Sequence, residues 1–194
     1  MPPALKARRT VCGLFFVAAF GSSLSASGAD HNDARAWSAL RDGAIVLVRH
    51  ANAPGVGDPP AFRLGDCSTQ RNLDEAGRMQ AQRIGATFAQ EKVRVGKVMA
   101  SQWCRTLETA ELAFPGKVVA HPAFNSFFQD NTRAVQQTDT ARALLLDWSG
   151  PGALVVVTHQ VNITALTGIV PASGEGIVLR RAGPLLQPVG RIRP

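Results

Sequence analysis

Two stretches of the chain are apolar at every position. Ala44–Val48 (Ala-Ile-Val-Leu-Val) and Ala153–Val157 (Ala-Leu-Val-Val-Val) are rich in β-branched residues, and each runs into a polar pair, Arg49-His50 and Thr158-His159. Unbroken apolar runs of this length predict strands buried on both faces of a parallel sheet. Gly96–Ala100 and Val118-Val119 predict shorter strands, Gly176–Arg181 an edge strand, and the region near Val189 a last strand. Elsewhere the apolar spacing takes the helical period. Asp30–Asp42 predicts a short helix with Trp37 and Leu40 on one face. Asp74–Gln90 predicts a helix capped by Asp74, with Met79, Ile84 and Phe88 on its apolar face. Arg105–Phe114 predicts a helix stopped by Pro115-Gly116, Thr138–Trp148 one stopped by Gly150-Pro151-Gly152, and Val161–Thr167 a short one. Strands alternating with helices give the α/β class, a three-layer sandwich around a largely parallel central sheet. Ala51–Asn72 predicts a long loop with Gly55, Gly57, Pro59, Pro60 and Gly65, and a loop of that length in a compact domain usually carries function.

Composition adds limits. The chain has 194 residues, 45% hydrophobic and 18% charged, which excludes disorder and coiled coil. The net charge of +7 is partly a property of the N-terminus. Lys6, Arg8 and Arg9 precede the apolar stretch Val11–Phe20, which is too short to span a bilayer. Small residues follow, with Ser27 and Ala29 suitably placed before a cut ahead of Asp30. This pattern predicts a signal peptide over 1–29, a mature domain over 30–194, and a periplasmic or secreted location. Processing would remove three basic residues and no acidic one, so the charge falls to +4. That balance suits an anionic substrate. It includes no Lys/Arg block of the kind that binds nucleic acid, and no segment predicts a stable membrane span. Cys12 would leave with the signal. Cys67 and Cys104 remain, in two loops that leave the same sheet edge, and are read as a disulfide in an oxidising compartment. The alternative is two free thiols, with Cys104 buried as a small apolar residue.

Polar residues at the carboxyl ends of parallel strands line the ligand crevice of α/β sheets. Arg49-His50 and Thr158-His159 occupy such ends. A third strand leads into Ser101-Gln102-Trp103-Cys104-Arg105. Taken singly, each has a plainer reading: a hydrogen-bonded structural histidine, a surface arginine, or Arg49 paired with an acid such as Asp66. Together, two arginines suit a phosphoryl dianion held by guanidinium forks. One neutral imidazole can attack phosphorus, and a second, protonated, can stabilise the oxygens. A metal reading on His50, His159 and an Asp lacks close ligand spacing.

Four motifs stand in order at element boundaries: Leu47-Val48-Arg49-His50-Ala51; Leu73-Asp74-Glu75-Ala76-Gly77-Arg78-Met79-Gln80-Ala81; Ser101 through Arg105-Thr106 to Thr109-Ala110; and Val155-Val156-Val157-Thr158-His159. In this order the chain resembles the histidine phosphatase superfamily, also called phosphoglycerate mutase-like, from about Ala44 to Gly168. The resemblance implies that family's fold with a minimal cap region, since little chain separates Arg105 from His159. It implies a phosphohistidine intermediate on His50, with Arg49, Arg105 and His159 completing the phosphate pocket. Asn52 and Gln160 are expected to add donors, and no metal or cofactor is implied. Ala51 stands where the family usually has Gly. The proton-donating acid is not evident: Asp130 is the expected one, Asp58 and Asp66 are rivals, and Asp130 also reads as an exposed loop or cap residue.

The expected activity is an exported, metal-independent phosphomonoesterase. Its nearest resemblance is to short exported members that act on lipopolysaccharide core sugars, so the implied partner is a phosphorylated substrate such as an envelope glycolipid or phosphosugar. The alternatives are a phosphohistidine-protein phosphatase and a non-catalytic module that binds an anion or glycan on the same fold. A mutase is disfavoured by the missing cap.

Overall fold

The computed structural model describes residues 27–194 and Met1, and side chains from Asp33 onward. The expected signal segment therefore lies almost wholly outside the described residues. Among the described residues no helix is long and apolar enough to cross a membrane.

The chain begins with α1 (Ser27–Arg41) and β1 (Ile45–Arg49), and after a long loop enters α2 (Glu75–Gln90). It continues through β2 (Val95–Ala100), α3 (Cys104–Ala113), β3 (Val118–Ala120), α4 (Ala134–Leu146), β4 (Ala153–Thr158) and α5 (Gln160–Thr167). It closes with β5 (Gly176–Ala182) and β6 (Leu185–Ile192). One six-stranded sheet has the order β3-β2-β4-β1-β5-β6. The first four strands are parallel, and β5 and β6 are antiparallel to their neighbours.

The two continuous apolar runs are the sheet's centre. All six residues of β4 are buried, as are the first four of β1. Successive side chains of a strand point to opposite faces, so each run feeds two cores. Val46, Val48, Val155 and Val157 pack beneath α1, α2 and α3 with Trp37, Leu40, Ile84, Phe88 and Phe114. Trp37, Phe88 and Phe114 meet edge to face at 5.2 and 5.1 Å. Ile45, Leu47, Leu154 and Val156 pack on the other face against Phe124, Leu145, Ile163 and Leu166, brought by α4, α5 and the loop after β3. The three-layer expectation is met.

The departures have physical reasons. Gly176–Arg181 is not an edge strand: β5 pairs with both β1 and β6, and β6 forms the edge. Met79 is 48% exposed, because the inward face of α2 is taken by Gly77, Ala81, Ile84 and Phe88. Gly77 is there for a steric reason. A Cβ on it would lie 2.0 Å from the Asn52 carbonyl oxygen, so only glycine lets α2 press against the loop that follows β1. Helix α4 starts four residues ahead of the expected Thr138.

Candidate active site

The site is set by strand register. In the parallel pair β1–β4, Arg49 lies opposite Thr158, so the next residue of each strand is His50 and His159. The His50 amide donates to the Thr158 carbonyl at 2.9 Å, which carries the register one step past the strand end. The rings face each other edge to face with centroids 5.5 Å apart. On the other side of β4, Ala100 of β2 lies opposite Val157, and the Ser101 amide donates to the Val157 carbonyl at 3.0 Å. The Ser101 hydroxyl then sits 2.9 Å from His159 Nε2. Four residues on, Arg105 enters from the first turn of α3.

Arg49, His50, Arg105, His159 and Gln160 line one cavity at this sheet edge, as the sequence led one to expect. Asp58 and Arg71, from the long loop, line it too. Arg71 is the residue that sequence reasoning missed. Its signal was a second arginine in the long loop, two residues ahead of the Leu73-Asp74 helix start. Its guanidinium is oriented by backbone acceptors, Nε donating to Gly57 O at 2.8 Å and Nη1 to Ala53 O.

Asp58 organises the floor. Its side chain and that of Arg105 are each 3% exposed. Arg105 Nη1 and Nη2 donate to the two carboxylate oxygens at 2.7 and 3.1 Å. Trp103 Nε1 and the Arg71 amide donate to the same carboxylate at 3.0 and 3.1 Å. Burial alone would raise this carboxyl. The Arg105 hydrogen bonds and charge, with Trp103 and Arg71, outweigh burial and hold it below the usual carboxylate range. Asp58 is therefore ionised and takes the end-on fork of Arg105. The side-facing Arg105 Nε is left buried without a partner, and so is Arg49 Nε, while Arg49 Nη1 donates to Pro171 O at 3.0 Å. Buried polar groups are normally hydrogen-bonded, so these two N–H groups are among the few exceptions in the described residues.

Both histidines are neutral at rest. Burial, then the charges of Arg105, Arg71 and Arg49, push His50 down to about 3 against an opposing hydrogen bond to Ala51. Burial, then His50 and the same arginines, push His159 well below its ordinary value. The expected protonated His159 is therefore a form that needs an anion beside it, because burial and three arginines disfavour the imidazolium. His50 Nδ1 lies 2.7 Å from the Ala51 carbonyl and, being neutral, donates its single proton there. Nε2 then carries the lone pair. With three arginines, one carboxylate and two neutral imidazoles, the lining carries a net charge of +2.

Two expected residues lie elsewhere. Asn52 is outside the cavity lining, and its side-chain amide donates to Asp74 at 3.0 Å while its backbone amide donates to Gln80 at 2.9 Å. It ties the nucleophile loop to the start of α2 because Asp74 is already fixed there as the helix cap. Asp130 is exposed and accepts from the Thr132 hydroxyl and amide, which hold its carboxyl low. It turns its own loop and has no proton to give to the cavity. Asp66 likewise pairs with Arg63 at 2.8 Å on the surface. The expected cysteine pair is bonded: Cys67 and Cys104 are joined with Cα atoms 5.7 Å apart, fastening the long loop to the residue before Arg105. Among the described residues no three His, Cys, Asp or Glu side chains form a metal-ligating group.

Residues 45–128 match the family model of the histidine phosphatase superfamily, branch 1. No curated protein gives a significant match. Solved structures share the fold. SixA from Agrobacterium tumefaciens aligns with a TM-score of 0.55 at 18% identity, over 78% of this chain and 98% of that one. YhfR from Bacillus stearothermophilus aligns with a TM-score of 0.56 at 16% identity, over 76% and 96%. The protein histidine phosphatase SixA complexed with tungstate aligns with a TM-score of 0.54 at 13% identity, over 77% and 96%.

The histidine environment generates a stability prediction. The folded His50 value near 3 lies below the ordinary 6.5, so the unfolded chain binds protons that the folded one refuses between these values. Stability is full above that window and is lost as pH falls through it, by about 1.4 kcal/mol per pH unit for each such histidine. Urea unfolding of the ligand-free protein at pH 7, 6 and 5 should show a falling midpoint, with a shallower fall in His50→Gln. A midpoint unchanged between pH 7 and 5 contradicts the neutral pair.

Proposed function

We propose that this chain, whose residues 45–128 match the family model of the histidine phosphatase superfamily, is a member of it and a phosphomonoesterase that works through a phosphohistidine on His50. The observation that carries the reading is the convergence of Arg49, Arg71 and Arg105 on one cavity with a neutral His50. A phosphoryl dianion accepts hydrogen bonds from these guanidiniums and cancels the +2 of the lining. His50 Nε2 attacks phosphorus, the P–O bond to the leaving group breaks, and the leaving oxygen departs with its electron pair and takes a proton from solvent, which the attacking water returns in the second step. Arg49, Arg71 and Arg105 stabilise the charge on the transferring oxygens. The bound anion also favours the imidazolium form of His159, which then donates toward the same oxygens. Water attacks the phosphohistidine, the P–N bond electrons return to Nε2, and inorganic phosphate leaves. Asp58, ionised and committed to Arg105, orients that arginine and gives no proton. Tungstate, the ligand of the SixA neighbour, has the shape of phosphate, which is in keeping with this reading.

Export belongs to the same proposal. Lys6, Arg8, Arg9 and the short apolar run after them support a signal peptide, and the Cys67–Cys104 bond suits an oxidising compartment. The substrate would then be a phosphomonoester of the cell envelope, of glycolipid or phosphosugar type.

The test is covalent capture. Protein incubated with labelled aryl phosphate in EDTA and quenched without acid should carry label that His50→Ala lacks. Arg105→Ala and Arg49→Ala should each lower kcat/KM by about 2–4 kcal/mol of transition-state stabilisation. Label retained in His50→Ala, or activity lost to EDTA and restored by metal, overturns the mechanism. Export is read separately: N-terminal sequencing of envelope-fraction protein should begin near Asp30, and an intact Met1 in cytoplasmic material overturns it.

A further inference from the structure

The cavity divides into a charged floor and an uncharged rim. Arg49, Arg71, Arg105, Asp58 and the two histidines form the floor. The remaining lining comes from Gly55, Val56 and Gly57 on one side, Ser126, Phe128 and Gln129 on the other, and Gln160 and Val161 at the start of α5. None of these rim residues is ionisable. The two loops support each other: Gln129 Nε2 donates to the Asp58 carbonyl at 3.1 Å, and a Cβ on Gly57 would lie 3.9 Å from the Phe128 ring. Val56 and Phe128 are nevertheless 87% and 58% exposed, which leaves their outer faces without a protein partner at the mouth of the site.

The geometry points to a substrate class: a phosphomonoester whose leaving group is uncharged and carries an apolar edge that packs on Val56 and Phe128. This rests on the phosphatase reading above and deepens it. Charge counting is the first argument. One phosphoryl dianion cancels the +2 of the floor, so a second phosphate or a carboxylate on the leaving group meets no free cation among the lining residues. Surface chemistry is the second. Large apolar side chains exposed beside a binding cleft and continuous with it mark where a ligand's apolar surface goes. Gln129, Gln160 and Ser126 then serve hydroxyls or ethers of the same group, as a glycolipid or aryl glycoside would present.

The test uses a matched pair, para-carboxymethylphenyl phosphate and its methyl ester, which share the leaving oxygen and differ by one remote charge. The wild-type protein should favour the ester in kcat/KM by about fivefold, the scale of one unpaired surface charge. Val56→Lys, at a position exposed enough not to disturb folding, should remove or reverse that preference. Phe128→Ser should lower kcat/KM for the ester about fivefold while leaving competitive inhibition by inorganic phosphate unchanged. Equal rates on acid and ester, or a ratio that Val56→Lys leaves untouched while phosphate still inhibits, overturns the rim assignment and spares the phosphatase reading. Failure to hydrolyse the ester in a protein that still hydrolyses phenyl phosphate overturns the substrate class alone. Failure to hydrolyse any of these phosphomonoesters, with or without phosphate binding, overturns both.

Discussion

The parallel pairing of β1 with β4, in a register that sets Arg49 beside Thr158, is the constraint on which the rest depends. It makes His50 and His159 neighbours although more than a hundred residues separate them in sequence. Slipping the register by one residue would turn Ile45, Leu47, Leu154 and Val156 to the wrong face and empty one of the two cores. The catalytic geometry is thus fixed by the same burial that stabilises the domain. Helix α2, brought close by Gly77, and the Cys67–Cys104 bond then press the first loop onto that edge.

The electrostatics follow from placing three arginines around two buried imidazoles. Asp58 offsets one of the three charges, and no other carboxylate lines the cavity. Burial, reinforced by this imbalance, keeps both histidines neutral. Three guanidiniums against one carboxylate are complementary to a dianion, and the proposed binding and catalysis draw on that imbalance. The uncharged rim then limits that complementarity to a single phosphoryl group.

Much of this was legible in the sequence because it rests on unbroken patterns. Ala44–Val48 and Ala153–Val157 could only be central strands, and the polar residue after each had to emerge at one edge. The four motifs carried the resemblance because they combine such strand ends with helix starts, and the family model matches residues 45–128. What escaped depends on loops, whose conformation is set by contacts distant in sequence. Arg71 reaches the cavity because Gly57 and Ala53 offer it carbonyls, and Asp58 because Arg105 and Trp103 offer it donors. Neither pairing has a periodicity to read. Asp130 looked like an acid because it was the only carboxylate in its segment, yet Thr132 two residues on captures it. Asn52 stood next to the right residues and was claimed by the cap of α2.

The central claim is that an over-positive floor with neutral histidines binds one dianion. Calorimetric titration with tungstate, a dianion throughout the neutral range, tests it most directly when run in two buffers of different ionisation enthalpy. The account predicts saturable binding of a single tungstate, with uptake of about one proton by the His50–His159 pair at pH 7.5. It also predicts that Arg105→Gln weakens binding and that His159→Gln diminishes the uptake. Binding without proton uptake, or no saturable binding at all, would contradict it.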